Sequence, residues 1–211
     1  MKRPTLLLIC ALCCPLIFSA TADAAAIFLE SWSVPGDTAG WQGYNLSLNQ
    51  SGAALSWQLA PASTYGLIQA DALSSGAAFV GDVAATAAPY YAFEIRPDAD
   101  TVVSDITVYL DTPSSTWRYS TVSPVSDRWN NYLLPLDSDP GHWIHQMGPE
   151  TLAQTLTNVS YFTIEIGTLA GGSGQLDNVG LGQSPEPTTV CLLLGGLGLL
   201  TLRRRRSPAR T

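Results

Sequence analysis

Residues 161–166 read YFTIEI, and apolar side chains at 162, 164 and 166 alternate there with polar ones. Successive side chains of a strand point to opposite faces, so this pattern predicts a β-strand with one side in a core. The same alternation occurs in residues 90–96 (YYAFEIR) and 105–111 (DITVYLD). Between residues 27 and 184 there is no sustained helical periodicity. These segments therefore favour an all-β fold.

Six further strands are predicted on the same grounds, at 27–33, 42–48, 53–59, 115–122, 129–136 and 174–181. Turn-forming sequences separate the strands, for example PGD at 35–37, DPG at 139–141 and GGSG at 171–174. Nine short strands with this spacing predict a jelly-roll-like antiparallel β-sandwich. One short helix is predicted at 149–157, and residues 60–88 have no clear assignment.

The charges of the chain are unevenly distributed. The 211 residues carry 10 Lys and Arg against 17 Asp and Glu, a net charge of −7. Between residues 27 and 184, however, only Arg96, Arg118 and Arg128 are basic, against 15 acidic residues. A body this acidic excludes nucleic acids and anionic membranes as natural partners, because both require a dense basic surface.

The N-terminal residues 1–26 have the organisation of a secretory signal peptide. Lys2 and Arg3 precede an apolar run at 6–18, and small residues at 22–26 offer sites for signal peptidase. A retained membrane anchor and a lipoprotein signal are the alternatives. Three of the four cysteines lie in this segment and the fourth is Cys191. The body therefore has no disulfide, and its stability must come from its core.

The C-terminal end combines three features. Pro185, Glu186 and Pro187 are followed by an apolar segment at 188–202, which is followed by Arg203, Arg204, Arg205 and Arg206. As a helix the apolar segment would measure about 22 Å, short of the ~30 Å hydrocarbon core of a membrane. Arginines stay on the cytoplasmic side, so this short transmembrane helix would leave the body outside. An ordinary stop-transfer anchor is the alternative.

This C-terminal arrangement resembles the PEP-CTERM sorting signal. The resemblance implies that an exosortase recognises the tail and removes it near Pro185–Pro187. It also implies an exported protein of a Gram-negative bacterium, held first in the inner membrane and released to the outer surface or the extracellular matrix. The resulting organisation is a signal peptide at 1–26, a β-sandwich domain at 27–183 and a sorting signal at 184–211.

The body also resembles the galactose-binding-like jelly rolls found in many carbohydrate-binding modules. The similar segments are FLE at 28–30 followed by Gly40-Trp41, LTNV at 156–159 before the strand at 161–166, and LDNVGL at 176–181. The resemblance implies a role in binding polysaccharide.

The same resemblance implies a structural calcium site. In such jelly rolls an acid on the first strand and one on the last can share Ca²⁺, which prefers six to eight oxygen ligands. The matching residues here are Glu30 and Asp177, with Asp37 as a third ligand. The alternative is that Asp177 caps a turn and Glu30 is solvated. No other cofactor is predicted.

Aromatic residues are the best sequence indication of a binding surface. All six Trp and all eight Tyr lie in the body, where exposed rings could stack on the C–H faces of sugars. The candidate ligand-binding residues are Tyr90, Tyr109, Trp117, Trp129 and Tyr161. The alternative for each ring is packing in the core or on an ordinary sheet surface.

Signals for catalysis are poor. The chain has two His and no G-x-S-x-G motif, and with 15 acids some pair of carboxylates is inevitable. The sequence therefore predicts a non-catalytic surface or matrix protein that binds polysaccharide. The alternatives are a structural surface protein without a specific ligand and a small glycan-active enzyme.

Overall fold

The computed structural model describes residues 28–137 and 141–182. These residues form twelve β-strands and one short α-helix. The strands are β1 (Phe28–Glu30), β2 (Gln42–Tyr44), β3 (Leu46–Ser51), β4 (Ala54–Leu59), β5 (Tyr65–Ala70), β6 (Tyr90–Pro97), β7 (Val103–Asp111), β8 (Thr116–Thr121), β9 (Asn130–Pro135), β10 (Ile144–Met147), β11 (Tyr161–Thr168) and β12 (Ser173–Gly182), and the helix is α1 (Leu152–Thr155).

The strands are arranged in two sheets of six, and every pairing is antiparallel. Sheet I has the order β3-β4-β12-β6-β9, with β1 paired to β12. Sheet II has the order β10-β8-β7-β11-β5-β2. The predicted jelly-roll-like antiparallel β-sandwich is confirmed.

The core lies between the sheets and is rich in aromatic rings. Phe162 of β11 stacks on Tyr91 of β6, with ring centroids 4.5 Å apart, and so joins the two sheets. Phe79 and Trp41 pack around the same ring at 6.1 and 6.2 Å. Four of the six tryptophans are almost completely buried, namely Trp32, Trp41, Trp57 and Trp143. Most tryptophans thus pack the core, which was the alternative reading of the aromatic pattern.

The predicted strand at 42–48 is in fact two strands in different sheets. β2 pairs with β5 in sheet II, whereas β3 pairs with β4 in sheet I. The chain changes sheets at Asn45, whose φ of 56° lies in the left-handed region that Asn tolerates better than most residues. An alternation of side chains does not show such a break, because one residue with a special φ is enough to make it.

Two strands lie where none was predicted. β5 falls in the unassigned stretch 60–88, and β10 is a short edge strand whose four residues are all exposed. The predicted helix at 149–157 is shorter, with α1 covering one turn. Its N-terminus is a capping box in which Thr151 and Gln154 each bond the other's backbone N–H.

The two sheets and the core between them are formed by residues 28–137 and 141–182, the part of the chain that the structure describes. The predicted signal peptide and the predicted sorting helix at 188–202 lie outside the described residues. Within residues 28–137 and 141–182 no helix has the length and apolarity needed to cross a membrane.

Candidate functional site

The outer surface of sheet II, which we call the sheet II face, combines tyrosines with polar and charged side chains. The strand register assigns the outward positions, because directly paired residues share a face. They are Gln42 and Tyr44 on β2, Tyr65, Leu67 and Gln69 on β5, Tyr161, Thr163 and Glu165 on β11, Asp105, Thr107, Tyr109 and Asp111 on β7, and Thr116, Arg118 and Ser120 on β8.

One row of this face crosses the whole sheet. Tyr109 pairs with Arg118 on one side and with Thr163 on the other. The row continues through Gln69, whose Nε2 donates to Thr163 Oγ1 at 3.1 Å, and ends at Gln42. Thr163 is 2% exposed, so the polar groups of this row that can meet a ligand are the amides of Gln69 and Gln42 and the guanidinium of Arg118. Such groups can pair with the hydroxyls of a sugar while the ring of the central Tyr109 packs on its C–H face.

Tyrosines extend along the sheet as well as across it. Tyr161 is 43% exposed and lies diagonally from Tyr109, since it pairs with Asp111 on the neighbouring strand. Tyr44 and Tyr65, 52% and 48% exposed, stand near the other edge. Beside Tyr161 a recess of about 450 Å³ opens, whose lining includes Asp71 and Asn158. The exposed rings therefore span several strands, as a polymeric ligand would require.

A carboxylate lies next to the central tyrosine. Glu165 is the diagonal neighbour of Tyr109, and the Asp105 charge raises the pKa of the Glu165 carboxyl. Asp105 lies over Gly167, where a Cβ would come within 2.7 Å of both of its carboxylate oxygens. The absence of a side chain at Gly167 is what lets the Asp105 carboxylate lie over β11.

The pKa values of this face reflect burial and crowded negative charge. The pKa of Glu165 is raised, first by burial and then by the Asp105 charge, while the Tyr109 hydrogen bond and Arg118 oppose the rise. Burial also raises the pKa of Tyr109, with Glu165 adding to it. The pKa of Asp111 is raised by burial as well. The negative charge of the carboxylates on this face is therefore only partly balanced by hydrogen bonds and by the positive charge of Arg118.

Arg118 is the basic side chain of this surface. It pairs with Tyr109 in the register, and its charge lowers the pKa of both Tyr109 and Glu165. Its Nε is buried and finds no acceptor among the described residues.

The structure separates the five predicted ligand-binding residues. Tyr109 and Tyr161 lie together on the sheet II face. Trp117 belongs to the same sheet, but it pairs with buried Leu110, packs against the core and donates from Nε1 to the Glu150 carbonyl at 3.2 Å.

Tyr90 and Trp129 belong to the other sheet. Tyr90 begins β6 and pairs with Pro135 of β9, and Trp129 directly precedes β9. Trp129 is 37% exposed, and the Arg96 guanidinium lies 5.6 Å from its ring centroid. A ligand on the sheet II face would contact neither residue.

The three predicted calcium ligands are not brought together. Glu30 pairs with inward-facing Val179 and accepts hydrogen bonds from Trp32 N and Ser75 Oγ. Asp177 pairs with Glu94 on the outer side of sheet I, and Asp37 accepts from Ala39 N. Among the described residues no three His, Cys, Asp or Glu side chains form a group that could hold a metal ion.

Several residues of the face were missed in the sequence. Alternation alone does assign Asp105 and Glu165 to polar strand faces. Tyr44, Tyr65 and Gln69 gave no signal, because one lies where the chain changes sheets and the others lie in the unassigned stretch. Arg118 follows Trp117 in a strand whose two faces are both half-buried, so its direction could not be read from the pattern.

We expect Glu165→Gln to stabilise the protein near neutral pH. The pKa of Glu165 is higher in the folded protein than in the unfolded chain, so folding disfavours the ionised carboxylate. The stability of the protein therefore falls as the pH rises from the unfolded pKa through the folded pKa of this group. Glutamine removes that penalty and can still accept the Tyr109 hydrogen bond. Thermal unfolding should therefore give a higher Tm for the variant at pH 7, and no difference below about pH 4, where the unfolded carboxyl is protonated too.

Glu150→Gln provides a control with the opposite sign. Hydrogen bonds from Ser114, Thr112 and Thr155 lower the pKa of Glu150, so its ionised form favours folding. The stability it contributes is present above the unfolded pKa and lost as pH falls through the folded one. The Tm of the Glu150→Gln variant at pH 7 should therefore be lower than that of the wild type. A Glu165→Gln variant less stable than the wild type at pH 7 would contradict the assignment of Glu165 as a strained carboxylate.

Solved structures of carbohydrate-active proteins share this fold. A family 11 carbohydrate-binding module from Clostridium thermocellum superposes with a TM-score of 0.52 at 15% identity, covering 76% of this chain and 98% of the module. An agarase superposes with a TM-score of 0.58 at 12% identity, covering 75% of this chain, and an exo-β-agarase with 0.58 at 9%, covering 76%. The chain spans only 25% of each agarase. The β-sandwich is therefore similar in fold to this carbohydrate-binding module and to one part of each agarase.

The C-terminal segment gives a second match. Residues 185–207 match the model of the PEP-CTERM protein-sorting motif, and these residues lie outside the described part of the structure. The chain thus carries the sorting motif of an exported protein, as its sequence predicted. Among curated proteins, none matches the chain by sequence.

Proposed function

We propose that this protein is a non-catalytic surface or matrix protein that binds polysaccharide on its sheet II face. The observation that carries the proposal is the continuous row of Tyr109 with Arg118, Thr163, Gln69 and Gln42 across one sheet. Carbohydrate-binding modules with the same fold support this reading. The C-terminal motif supports export, with an exosortase as processing partner and a Gram-negative cell surface or matrix as destination.

The row of polar groups suits a sugar polymer better than a small apolar ligand. A pyranose presents hydroxyls at its edges and C–H groups on its faces, and the sheet II face offers partners for both. The tyrosines are spread over β2, β5, β7 and β11, so several sugar units could be contacted at once.

The glycan-active alternative is favoured by one observation, the interaction between the Glu165 and Asp105 carboxylates. A retaining glycosidase uses two carboxyl groups about 5–5.5 Å apart, one of them with a raised pKa. We favour binding because both carboxylates lie on the outer surface of a sheet. An assay for new reducing ends separates the two functions.

The test is binding of residues 27–184 to the exopolysaccharide of the host, measured by affinity electrophoresis. We expect saturable binding that Tyr109→Ala weakens by at least about tenfold, as for a central aromatic contact worth more than 1 kcal/mol. Trp129→Ala is the matched control on the other sheet and should bind like the wild type.

Three outcomes would contradict the proposal. One is a lack of binding by the intact body, which would leave a sorted structural protein. Another is equal weakening by Tyr109→Ala and Trp129→Ala, which would show that the sheet II face is not the site. Release of new reducing ends from the polymer would favour the enzyme.

A further inference from the structure

We propose that the preferred ligand of the sheet II face is a polysaccharide with protonated amino groups, such as one that contains de-N-acetylated hexosamine units. This inference rests on the proposed function and names the ligand class of the same site. It is carried by the carboxylates beside the tyrosines of the face, none of which forms a salt bridge within the described residues.

The balance of charge on the face is negative. Asp105, Asp111 and Glu165 all lie on its central strands β7 and β11, against the single guanidinium of Arg118 on β8. The other two arginines of the body are elsewhere, since Arg96 lies over Trp129 in sheet I and Arg128 precedes that tryptophan. A polymer of uronic acids would meet repulsion here, because like charges placed together are unfavourable.

None of the three carboxylates forms a salt bridge within the described residues. The side-chain hydrogen bonds of the two aspartates come from neutral hydroxyls: Ser104 to Asp105 and Thr116 to Asp111. A carboxylate that is partly desolvated and unpaired gains from a cation placed beside it. A positively charged group of a ligand would therefore interact favourably with these carboxylates.

The position of these carboxylates fits a sugar amine. Glu165 of β11 lies diagonally from Tyr109 of β7, and Asp111 pairs with Tyr161, so each of the two tyrosines has an acid next to it. A pyranose ring stacked on either tyrosine would carry its substituents outwards, towards the neighbouring carboxylate. A protonated amine on that ring could donate up to three hydrogen bonds, whereas an acetamido group carries no charge.

The decisive comparison uses one polymer in two forms, glycol chitosan and its fully N-acetylated product. Both forms are compared at about pH 6, where the amino groups of glycol chitosan carry positive charge and the amides of the acetylated form do not. We expect residues 27–184 to bind glycol chitosan roughly tenfold more tightly than the acetylated form, as two charge-assisted contacts would give.

Two double variants distinguish recognition from bulk attraction between an acidic protein and a cationic polymer. D105N/E165Q removes two charges from the sheet II face, and E94Q/D177N removes two from a directly paired position on the outer side of sheet I. The net charge changes equally. We expect D105N/E165Q to lose most of the preference for the amino polymer, and E94Q/D177N to lose less than about twofold.

The outcomes are distinct. Equal loss in both double variants would overturn the inference, since the attraction would then be non-specific. Equal affinity for the two polymer forms, with Tyr109→Ala weakening both, would overturn the inference and leave the proposed function standing. Binding of neither polymer would also overturn it, and host exopolysaccharide would then decide the proposed function separately.

Discussion

We expect Phe162→Ala to lower the free energy of unfolding by about 3–5 kcal/mol, the usual cost of removing a buried aromatic ring. Phe162 is completely buried, stacks on Tyr91 at 4.5 Å and contacts Phe79 and Trp41. Its ring joins β11 of one sheet to β6 of the other, so the cavity would open at the centre of the sandwich. Urea unfolding of residues 27–184 measures the loss.

Tyr161→Ala is the matched control, one residue earlier in the same strand. Tyr161 points outwards and is 43% exposed, so its removal should cost less than about 1 kcal/mol of stability. It should nevertheless weaken polysaccharide binding, because it belongs to the sheet II face. A loss of stability with Tyr161→Ala equal to that of Phe162→Ala would contradict the assignment of the two faces of β11.

We expect Gly148→Ala to be the second most damaging change, at about 2–4 kcal/mol. Gly148 has a φ of 95°, and an added Cβ would lie 2.0 Å from the Ser114 carbonyl oxygen and 2.5 Å from Ser115 Cα. These contacts are with backbone atoms, so no side-chain rotation can relieve them. The loop after β10 would have to move away from the turn between β7 and β8. Thermal and urea unfolding measure the effect.

Gly52→Ala separates the two costs at Gly148. Gly52 has a φ of 71°, but an added Cβ would meet nothing within 4 Å. Its substitution should therefore cost only the left-handed backbone, about 1–2 kcal/mol. If the two variants lose the same stability, the close approach of residue 148 to the β7–β8 turn is not a constraint on the fold.

Neighbouring residues of β11 have different roles in stability and in binding. Phe162, Ile164 and Ile166 are fully buried and hold the sheets together. Tyr161 and Glu165 lie on the other side of the same strand, where a change of residue costs little stability. Because one face of the sheet forms the core, the side chains of its other face do not have to hold the sheets together. Glu165 lies on this outer face, where burial and the Asp105 charge raise the pKa of its carboxyl.

Which residues of these strands are buried and which point outwards could largely be predicted from the alternation of apolar and polar side chains. The period of two in 90–96, 105–111 and 161–166 assigned the buried and outward residues of β6, β7 and β11, because it depends only on local backbone geometry. It placed Tyr109, Asp105 and Glu165 on outward faces. It could not say that Tyr109 and Glu165 would be neighbours, since they are far apart in sequence and meet only through the β7–β11 register.

Other features could not be predicted from the sequence, because they too depend on which strands pair in the folded protein. Tyr90 and Tyr109 have equivalent local patterns, yet they lie in different sheets. The left-handed Asn45 moved β3 into sheet I, and this break left β2 to carry Tyr44 and Gln42 to the edge of the sheet II face. Trp117 appeared equal to the other aromatics but turned out to pack against the core.

The sequence by itself determined the class of fold, the acidity of the body and the sorting motif at 185–207, because composition, periodicity and contiguous motifs are local properties. The tertiary structure alone decided which tyrosines share a surface, that Glu30 and Asp177 are turned to different sides of sheet I, and that the Asp105 carboxylate lies over Gly167. These relations depend on which strands pair and in what register, and pairing is fixed by the packing of the whole core.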